Sequence, residues 1–386
     1  MTAAERAATT RITAARTTTD RDTAGPSAVL SAEGSAEPSA EPSAAPVLTA
    51  ADLIADPGAH RVLTGDRPTG PLHLGHYFGT LQNRVRLQDQ GVEMFVLVAD
   101  YQVITDRDLA DRLAEHTENL VLDYLAAGLD PERATIFAHS AVPALNQLLL
   151  PFLSLVSVAE LSRNPTVKDE IAHSSQAAVN GLMFTYPVHQ AADILFCKAD
   201  LVPVGQDQLP HLEVARTVAR RFNERYPHAD GSAVFPRPRA LISEAPMLLG
   251  TDCGKMSKSR GNAVALGADE DETARIIRGA RTDADRRITY DPTGRPGVSG
   301  LLLLAALCQD RAPETIAEEI GDGGAAVLKR IVIESVNEYF RPLRVRRAEL
   351  ATDRGHLRQV LRAGAERANA IADTTLAEVR EVMGAI

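Results

Sequence analysis

Six consecutive apolar residues, Met94-Phe95-Val96-Leu97-Val98-Ala99, leave little choice of structure. Such a run is the mark of a strand buried on both faces, the usual state inside a parallel sheet. The flanking segments agree. Arg61-Val62-Leu63-Thr64-Gly65 reads as a short buried strand, and the turn Asp66-Arg67-Pro68-Thr69-Gly70-Pro71 follows it. A helix then carries Leu74, Tyr77, Phe78, Leu81 and Val85 at helical spacing, with Gly91 as its stop. A second helix near Leu109 to Ala127 stops at Gly128, and Ala134 to Ala138 reads as a third strand. Strand and helix in alternation predict an α/β fold with a doubly wound, Rossmann-type parallel sheet. Ligands bind such sheets beyond the carboxyl ends of the strands, so chemistry is expected just after Gly65.

The rest of the chain divides around this unit. Residues 1–47 are rich in Ala, Thr, Ser and Pro and repeat SAEG, SAEP, SAEP and SAAP from Ser31 to Pro46, which predicts a disordered tail. Arg6, Arg11 and Arg16 faintly suggest a transit peptide, but Asp20, Asp22 and Glu33 follow at once. Residues 58–265 form the expected α/β domain. Residues 266–386 read as a helical domain, with helices over Thr315 to Ile320, Val327 to Tyr339 and His356 to Met383. No apolar run is long enough to span a bilayer. A formal charge of -10 argues against unspecific binding to polyanions, so any anion must meet a local cationic patch. Cys197, Cys253 and Cys308 lack metal-ligand or disulfide spacing and read as thiols of a reducing, cytoplasmic compartment.

Two short segments carry the chemistry. His73-Leu74-Gly75-His76 opens the first helix, where unpaired N–H groups and the helix dipole attract anions, Gly75 admits a ligand to the backbone, and two imidazoles can donate. Alone, such a pair is more often a surface or capping feature, or a fragment of a metal site, than a nucleotide clamp. Far downstream, Lys255-Met256-Ser257-Lys258-Ser259 follows Gly250 and Gly254 in a loop-like context, two cations on one segment that cannot pack a core.

HLGH after a first strand, with KMSKS much later, resembles the paired signatures of the class I aminoacyl-tRNA synthetases. In detail the chain is similar to the tryptophanyl-tRNA synthetases: Gly65-Asp66-Arg67-Pro68-Thr69-Gly70, Tyr186-Pro187 through Asp193-Ile194-Leu195, Val202-Pro203-Val204-Gly205-Gln206-Asp207-Gln208, Arg281-Thr282-Asp283 and Pro296-Gly297-Val298-Ser299. The resemblance implies activation of L-tryptophan by ATP with Mg²⁺ and transfer to tRNA(Trp), by a homodimer. It implies that His73, His76, Lys255 and Lys258 stabilise the reacting phosphates. It places ATP against Arg67, Thr69, Gly75, His76, Lys168, Gly205, Asp207, Lys255, Met256, Ser257, Lys258 and Ser259. Tryptophan would meet Leu63, Gly65, Gln102, Tyr186, Gln190, Asp193 and Gln208, with Asp193 accepting the indole N–H. Lysines on a loop suit this chemistry, because the same cations must hold pyrophosphate as it leaves and then release it.

Two positions depart from the common pattern of these relatives. Gln190 stands where many have Met, giving the Tyr186, Gln190, Asp193 spacing also seen in tyrosyl-tRNA synthetases, and Gln102 stands where a histidine is usual. They suit an auxiliary isoform, leave tyrosine as the alternative substrate, and leave a non-catalytic paralogue as the alternative from another class. The absence of tryptophan from the chain fits an enzyme that charges tryptophan, and equally fits its 4% aromatic content. Arg341, Arg344, Arg346 and Arg347 form a cationic run open to two readings, a tRNA contact or a solvated helix face neutralised by Glu349.

Overall fold

The computed structural model describes residues 56–105, 112–165, 167–168, 180–205, 208–242, 247–257 and 260–385. The tail expected over residues 1–47 lies outside them. Among the described residues, strands β1 (Arg61–Asp66), β2 (Glu93–Val98), β3 (Ala134–Ala138), β4 (Leu201–Val204) and β5 (Arg239–Ile242) form one parallel sheet. Their order is β3-β2-β1-β4-β5. The chain starts at the centre, steps outward twice, and returns to the other side of β1. The topological switch therefore falls between β1 and β4. Residues of β2 alternate between two cores. Met94, Val96 and Val98 join Val62 and Ile136 on one face, while Phe95, Leu97 and Ala99 join Leu63 and Phe137 on the other. A continuous apolar run is what two covered faces require.

The first helix is interrupted. α1 (Leu74–His76) passes through a π turn over Tyr77–Leu81 into α2 (Gln82–Asp89). The extra residue of the π turn rotates the helix face just after HLGH, a distortion that concentrates at functional sites. α3 (Leu113–Ala127) ends on Gly128 at φ 113°, the left-handed cap that favours glycine. The helix start expected near Leu109 lies outside the described residues. Three short helices, α4 (Pro143–Gln147), α5 (Leu149–Leu153) and α6 (Val158–Arg163), lead to α7 (Gly181–Leu195) and α8 (Leu209–Arg225).

Beyond the sheet come α9 (Glu270–Arg278), α10 (Pro296–Gln309), α11 (Pro313–Ile320), α12 (Gly324–Ala351) and α13 (Arg354–Met383). Their apolar faces enter the same two cores as the strands: Leu302, Leu328 and Phe340 join Val62 and Leu74, and Ala368 and Leu376 join Phe95 and Val188. α12 runs twelve residues past the expected end at Tyr339, through Pro342. An internal proline costs about 3 kcal/mol, and the arginines beyond it offset that cost. Arg344 donates to Asn337 Oδ1 and Thr273 Oγ1, each at 2.8 Å; Arg346 donates to Ala126 O; Arg347 pairs with buried Asp123 at 2.7 Å. Of this run Arg341, against Glu338, and Arg346 are exposed, while Arg344 and Arg347 are partly buried. The arginines are thus chiefly clamps on α3 and α9, and Asp123, rather than Glu349, meets Arg347. Among the described residues no helix is long and apolar enough to cross a membrane.

Candidate active site

The site begins where β1 ends. Gly65 is exposed although it lies in the central strand, and Gly205, just past β4, is exposed beside it in the sheet order. A side chain at 65 would put its Cβ 2.3 Å from Leu97 O, so only glycine fits against β2 there. Asp66 is locked from behind. Arg84 Nη1 and the Tyr124 hydroxyl donate to Asp66 Oδ2 at 2.5 and 2.7 Å, and Arg84 Nη2 reaches Gly65 O at 3.2 Å. Burial alone would raise the Asp66 carboxyl, but Arg84, and then Tyr124, bring it down to about 2. Behind the end of β1 therefore lies an ion pair with a buried guanidinium and a partly buried carboxylate.

HLGH crosses this end of the strand. His73 N–H donates to His76 Nδ1 at 3.2 Å, so the His76 ring proton sits on Nε2, a donor suited to a phosphate oxygen. The two rings lie 3.7 Å apart, centroid to centroid. A Cβ on Gly75 would come within 3.0 Å of the His73 ring and 3.3 Å of Met256 Sδ. The second residue of KMSKS thus lies against the glycine of HLGH.

The backbone confirms the meeting. Leu74 N–H donates to Val264 O at 3.0 Å and Leu266 N–H to Leu72 O at 2.8 Å, so the segment beyond KMSKS bridges to the start of HLGH. The arm entering the loop is a tight hairpin. Leu249 pairs with Lys255, Gly250 N–H reaches Gly254 O at 2.7 Å, and Cys253 takes φ 66° at the turn. Asn262 ties both arms. It accepts from Ser257 N–H at 2.8 Å and donates to Asp252 Oδ1 at 2.7 Å and to Lys255 O at 3.1 Å. The Asn262 amide, then the Gly254 N–H, hold the Asp252 carboxyl below its ordinary value. Replacing Asn262 with alanine frees the loop from its anchor, and misplacement by about 1 Å costs on the order of 10²-fold in rate. The expected result is that loss in kcat of pyrophosphate exchange at unchanged tryptophan KM; an unchanged kcat would refute the anchor.

Tyr186, Gln190 and Asp193 share one face of α7 by their spacing. Tyr186 is buried and its hydroxyl lies 2.8 Å from His211 Nε2 on α8. Asp193 is 1% exposed, and its Oδ1 lies 2.6 Å from Nε2 of His139, which is 0% exposed. The His139 ring lies nearly parallel to those of His189 and Tyr101, with centroids at 4.6 and 6.3 Å. Burial holds the His189 imidazole below its ordinary pKa against the opposing pull of Asp193.

Residues 57–341 match the family of class I tRNA synthetases (W and Y). The chain is 41% identical over 336 residues to the tryptophan–tRNA ligase of Streptococcus pyogenes serotype M1, covering 84% of this chain and 97% of that protein. This chain belongs to the class I tRNA synthetases. It is also 39% identical over 334 residues to the tryptophan–tRNA ligase of Clostridium longisporum, covering 84% and 96%. The solved tryptophanyl-tRNA synthetase of Campylobacter jejuni, complexed with ADP and tryptophan, is 30% identical, with a TM-score of 0.73 over 84% of this chain and 99% of that one.

In this synthetase, then, the structure brings His73, Gly75, His76, Lys255, Met256 and Ser257 into one neighbourhood. Arg67 and Thr69 sit in the turn between β1 and HLGH, where Thr69 N–H donates to Arg67 O. Asp207, Lys258 and Ser259 lie outside the described residues. Exposed Lys168 is placed by Asn164, whose side chain reaches Pro210 in the first turn of α8 at 3.4 Å. Gln208 N–H donates to Gly205 O, and Gln102 N–H to Ala99 O, each in the turn after its strand. Leu63 packs in the sheet core with Phe95 and Val188. Sequence reasoning missed His139, His189, Asn262 and Asp123, which also accepts the Leu72 N–H ahead of HLGH. Only His189, four residues before Asp193 on α7, carried a signal in its spacing. Cys197 is buried and its thiol is pushed up to about 12, in keeping with an inert side chain.

Proposed function

We propose that this synthetase activates L-tryptophan with the magnesium complex of ATP and transfers it to tRNA(Trp). The observation that carries the reading is the pairing of residues 264–266 with residues 72–74, which seats Met256 against Gly75. Carboxylate attack on the α-phosphorus of ATP needs no general base, because the nucleophile is already ionised. Its barrier is electrostatic: an anion approaches a polyanion and pyrophosphate must leave with its charge. His76 Nε2–H and the Gly75 N–H supply donors from one side, and Lys255, carried on the anchored hairpin, meets the leaving phosphates from the other. His73 fixes His76 through its backbone N–H. Magnesium enters with ATP as part of the substrate and neutralises phosphate charge there. Asp193 accepts the indole N–H, a buried acceptor that penalises ligands lacking the donor. The family resemblance assigns Gly205, and with it Asp207 from outside the described residues, to the ribose of ATP.

The relatives' names support tryptophan, as does the tryptophan bound in the Campylobacter jejuni enzyme. We further propose a cytoplasmic homodimer in which the helices beyond residue 266 recognise the tRNA. The deciding assay is amino-acid-dependent exchange of labelled pyrophosphate into ATP, with tryptophan and tyrosine in parallel. Exchange with tryptophan at least about 10³-fold more efficient than with tyrosine is expected, since a site built around one polar group rejects the wrong ring strongly. Preferential exchange with tyrosine would replace the substrate, and no exchange with either would leave a binding protein.

A further inference from the structure

We infer that His139 is a specificity-determining positioning residue, whose Nε2–H holds the Asp193 carboxylate in place to receive the indole nitrogen. This rests on the assignment of Asp193 as the indole acceptor. A carboxylate only accepts, so the ring proton at the 2.6 Å contact belongs to His139 Nε2. Donation to Oδ1 leaves Oδ2 for a second donor. The histidine is itself fixed. Asn146 donates to the carbonyls of His139 and Val142 at 2.9 and 3.0 Å, which turns Asn146 Oδ1 toward His189 Nε2 at 2.8 Å. The two rings then stack 4.6 Å apart at 28°. One asparagine on α4 therefore sets the strand end that delivers His139 and the ring that backs it.

Stability does not explain the arrangement. His139 Nδ1 and His189 Nδ1 are both buried with no hydrogen-bond partner among the described residues, and unsatisfied buried nitrogens cost stability. Replacing a buried pair such as Asp193 and His139 with well-packed apolar residues is commonly neutral or stabilising. A chain that keeps two half-satisfied imidazoles beside a buried carboxylate gains something other than stability from them. Nor are the groups set as cation ligands, although single ligand atoms of His139, His189 and Asp193 lie within 4.8 Å of one another. The 2.6 Å contact is a hydrogen-bond distance, shorter than the roughly 3.3 Å between two atoms that share a tetrahedral ion at about 2.0 Å. The in-plane lone pairs of two stacked rings also lie in nearly parallel planes, which disfavours convergence on one ion.

The test is the ratio of kcat/KM in pyrophosphate exchange for tryptophan and for β-(3-benzothienyl)-L-alanine, in which sulfur replaces the indole N–H. A ratio taken within one preparation is independent of how much enzyme is folded. The wild type should favour tryptophan by about 100-fold. H139L should bring the ratio within about threefold of unity, and H139Q, whose amide keeps an N–H for Asp193, should restore most of it. Should H139L not fold, H139N, too short to reach Asp193, carries the same expectation. A wild-type ratio in H139L or H139N would overturn the inference. D193L separates the two layers: if it leaves the ratio unchanged, or the wild type shows no preference, the assignment of Asp193 itself fails.

Discussion

Lys255→Ala is expected to lower kcat of tryptophan-dependent pyrophosphate exchange by about 10²–10³-fold, the usual loss when one preorganised charge is removed from a transition state. KM for tryptophan should stay within about threefold. The split follows from where the lysine is held. Its backbone is fixed by pairing with Leu249 and by the Asn262 amide on its carbonyl, so truncation beyond Cβ leaves the hairpin standing. The side chain is exposed, and therefore adds little to stability. What disappears is a cation over the leaving phosphates, needed as their charge builds and not when the amino acid binds on the Asp193 side. An interaction made only in the transition state lowers kcat and kcat/KM together. Asn262→Ala should mimic part of this loss by misplacing the same lysine. If Lys255→Ala keeps wild-type kcat, the hairpin serves the fold alone and pyrophosphate is met elsewhere.

The parts legible in the sequence were those governed by local patterning. The Met94–Ala99 run announced a strand covered on both sides, and β3 begins and ends at Ala134 and Ala138 as its composition indicated. HLGH and KMSKS could be paired only through their resemblance to the two signatures of the class I synthetases, since the residues of HLGH alone left its role open. The order of the strands, the Leu74–Val264 contact and the Asp193–His139 pair were not legible, since each joins residues distant in the chain. The helix expected to end at Tyr339 instead runs through Pro342, a residue that breaks helices locally, because Arg344, Arg346 and Arg347 are bonded across to α9 and α3. The same bonds draw Arg344 and Arg347 away from the cationic face that sequence alone offered to tRNA, and leave Arg341 and Arg346 exposed. His139 was invisible for a related reason. A lone histidine after a strand has no periodic context, and its meaning arises only when α7 brings Asp193 to it.

The largest effect on stability is expected at Gly364. α13 lies over β3, the edge of the sheet, closely enough that a Cβ at 364 would fall 1.8 Å from Ile136 O and 3.1 Å from Ile136 N. An uncovered edge strand invites pairing with other chains, and here the helix covers it. Arg367 donates to Pro131 O at 2.7 Å and Ala134 O at 3.2 Å, and Asn369 to Ala141 O at 2.7 Å. Further on, Thr375 donates to Phe196 O at 2.7 Å and Glu378 pairs with Lys198, which secures the end of α7. No rotamer relieves a clash between Cβ and a backbone oxygen, so the whole helix must shift. Gly364→Ala should therefore cost at least about 4 kcal/mol, beyond ordinary overpacking. That corresponds to a fall in Tm of about 8 °C or more by circular dichroism. Gly181→Ala is the matched control: that helical glycine has nothing within 4 Å of the added Cβ, and alanine there should leave Tm unchanged or raise it slightly. The consequence reaches the site, because β3 delivers His139 and α7 delivers Asp193, and α13 is bonded to the ends of both. Exchange activity in Gly364→Ala should fall at temperatures where the wild type is still fully active. A Tm within about 2 °C of wild type would mean that α13 can ride off β3 without loss, and that the edge of the sheet is held by something other than this helix.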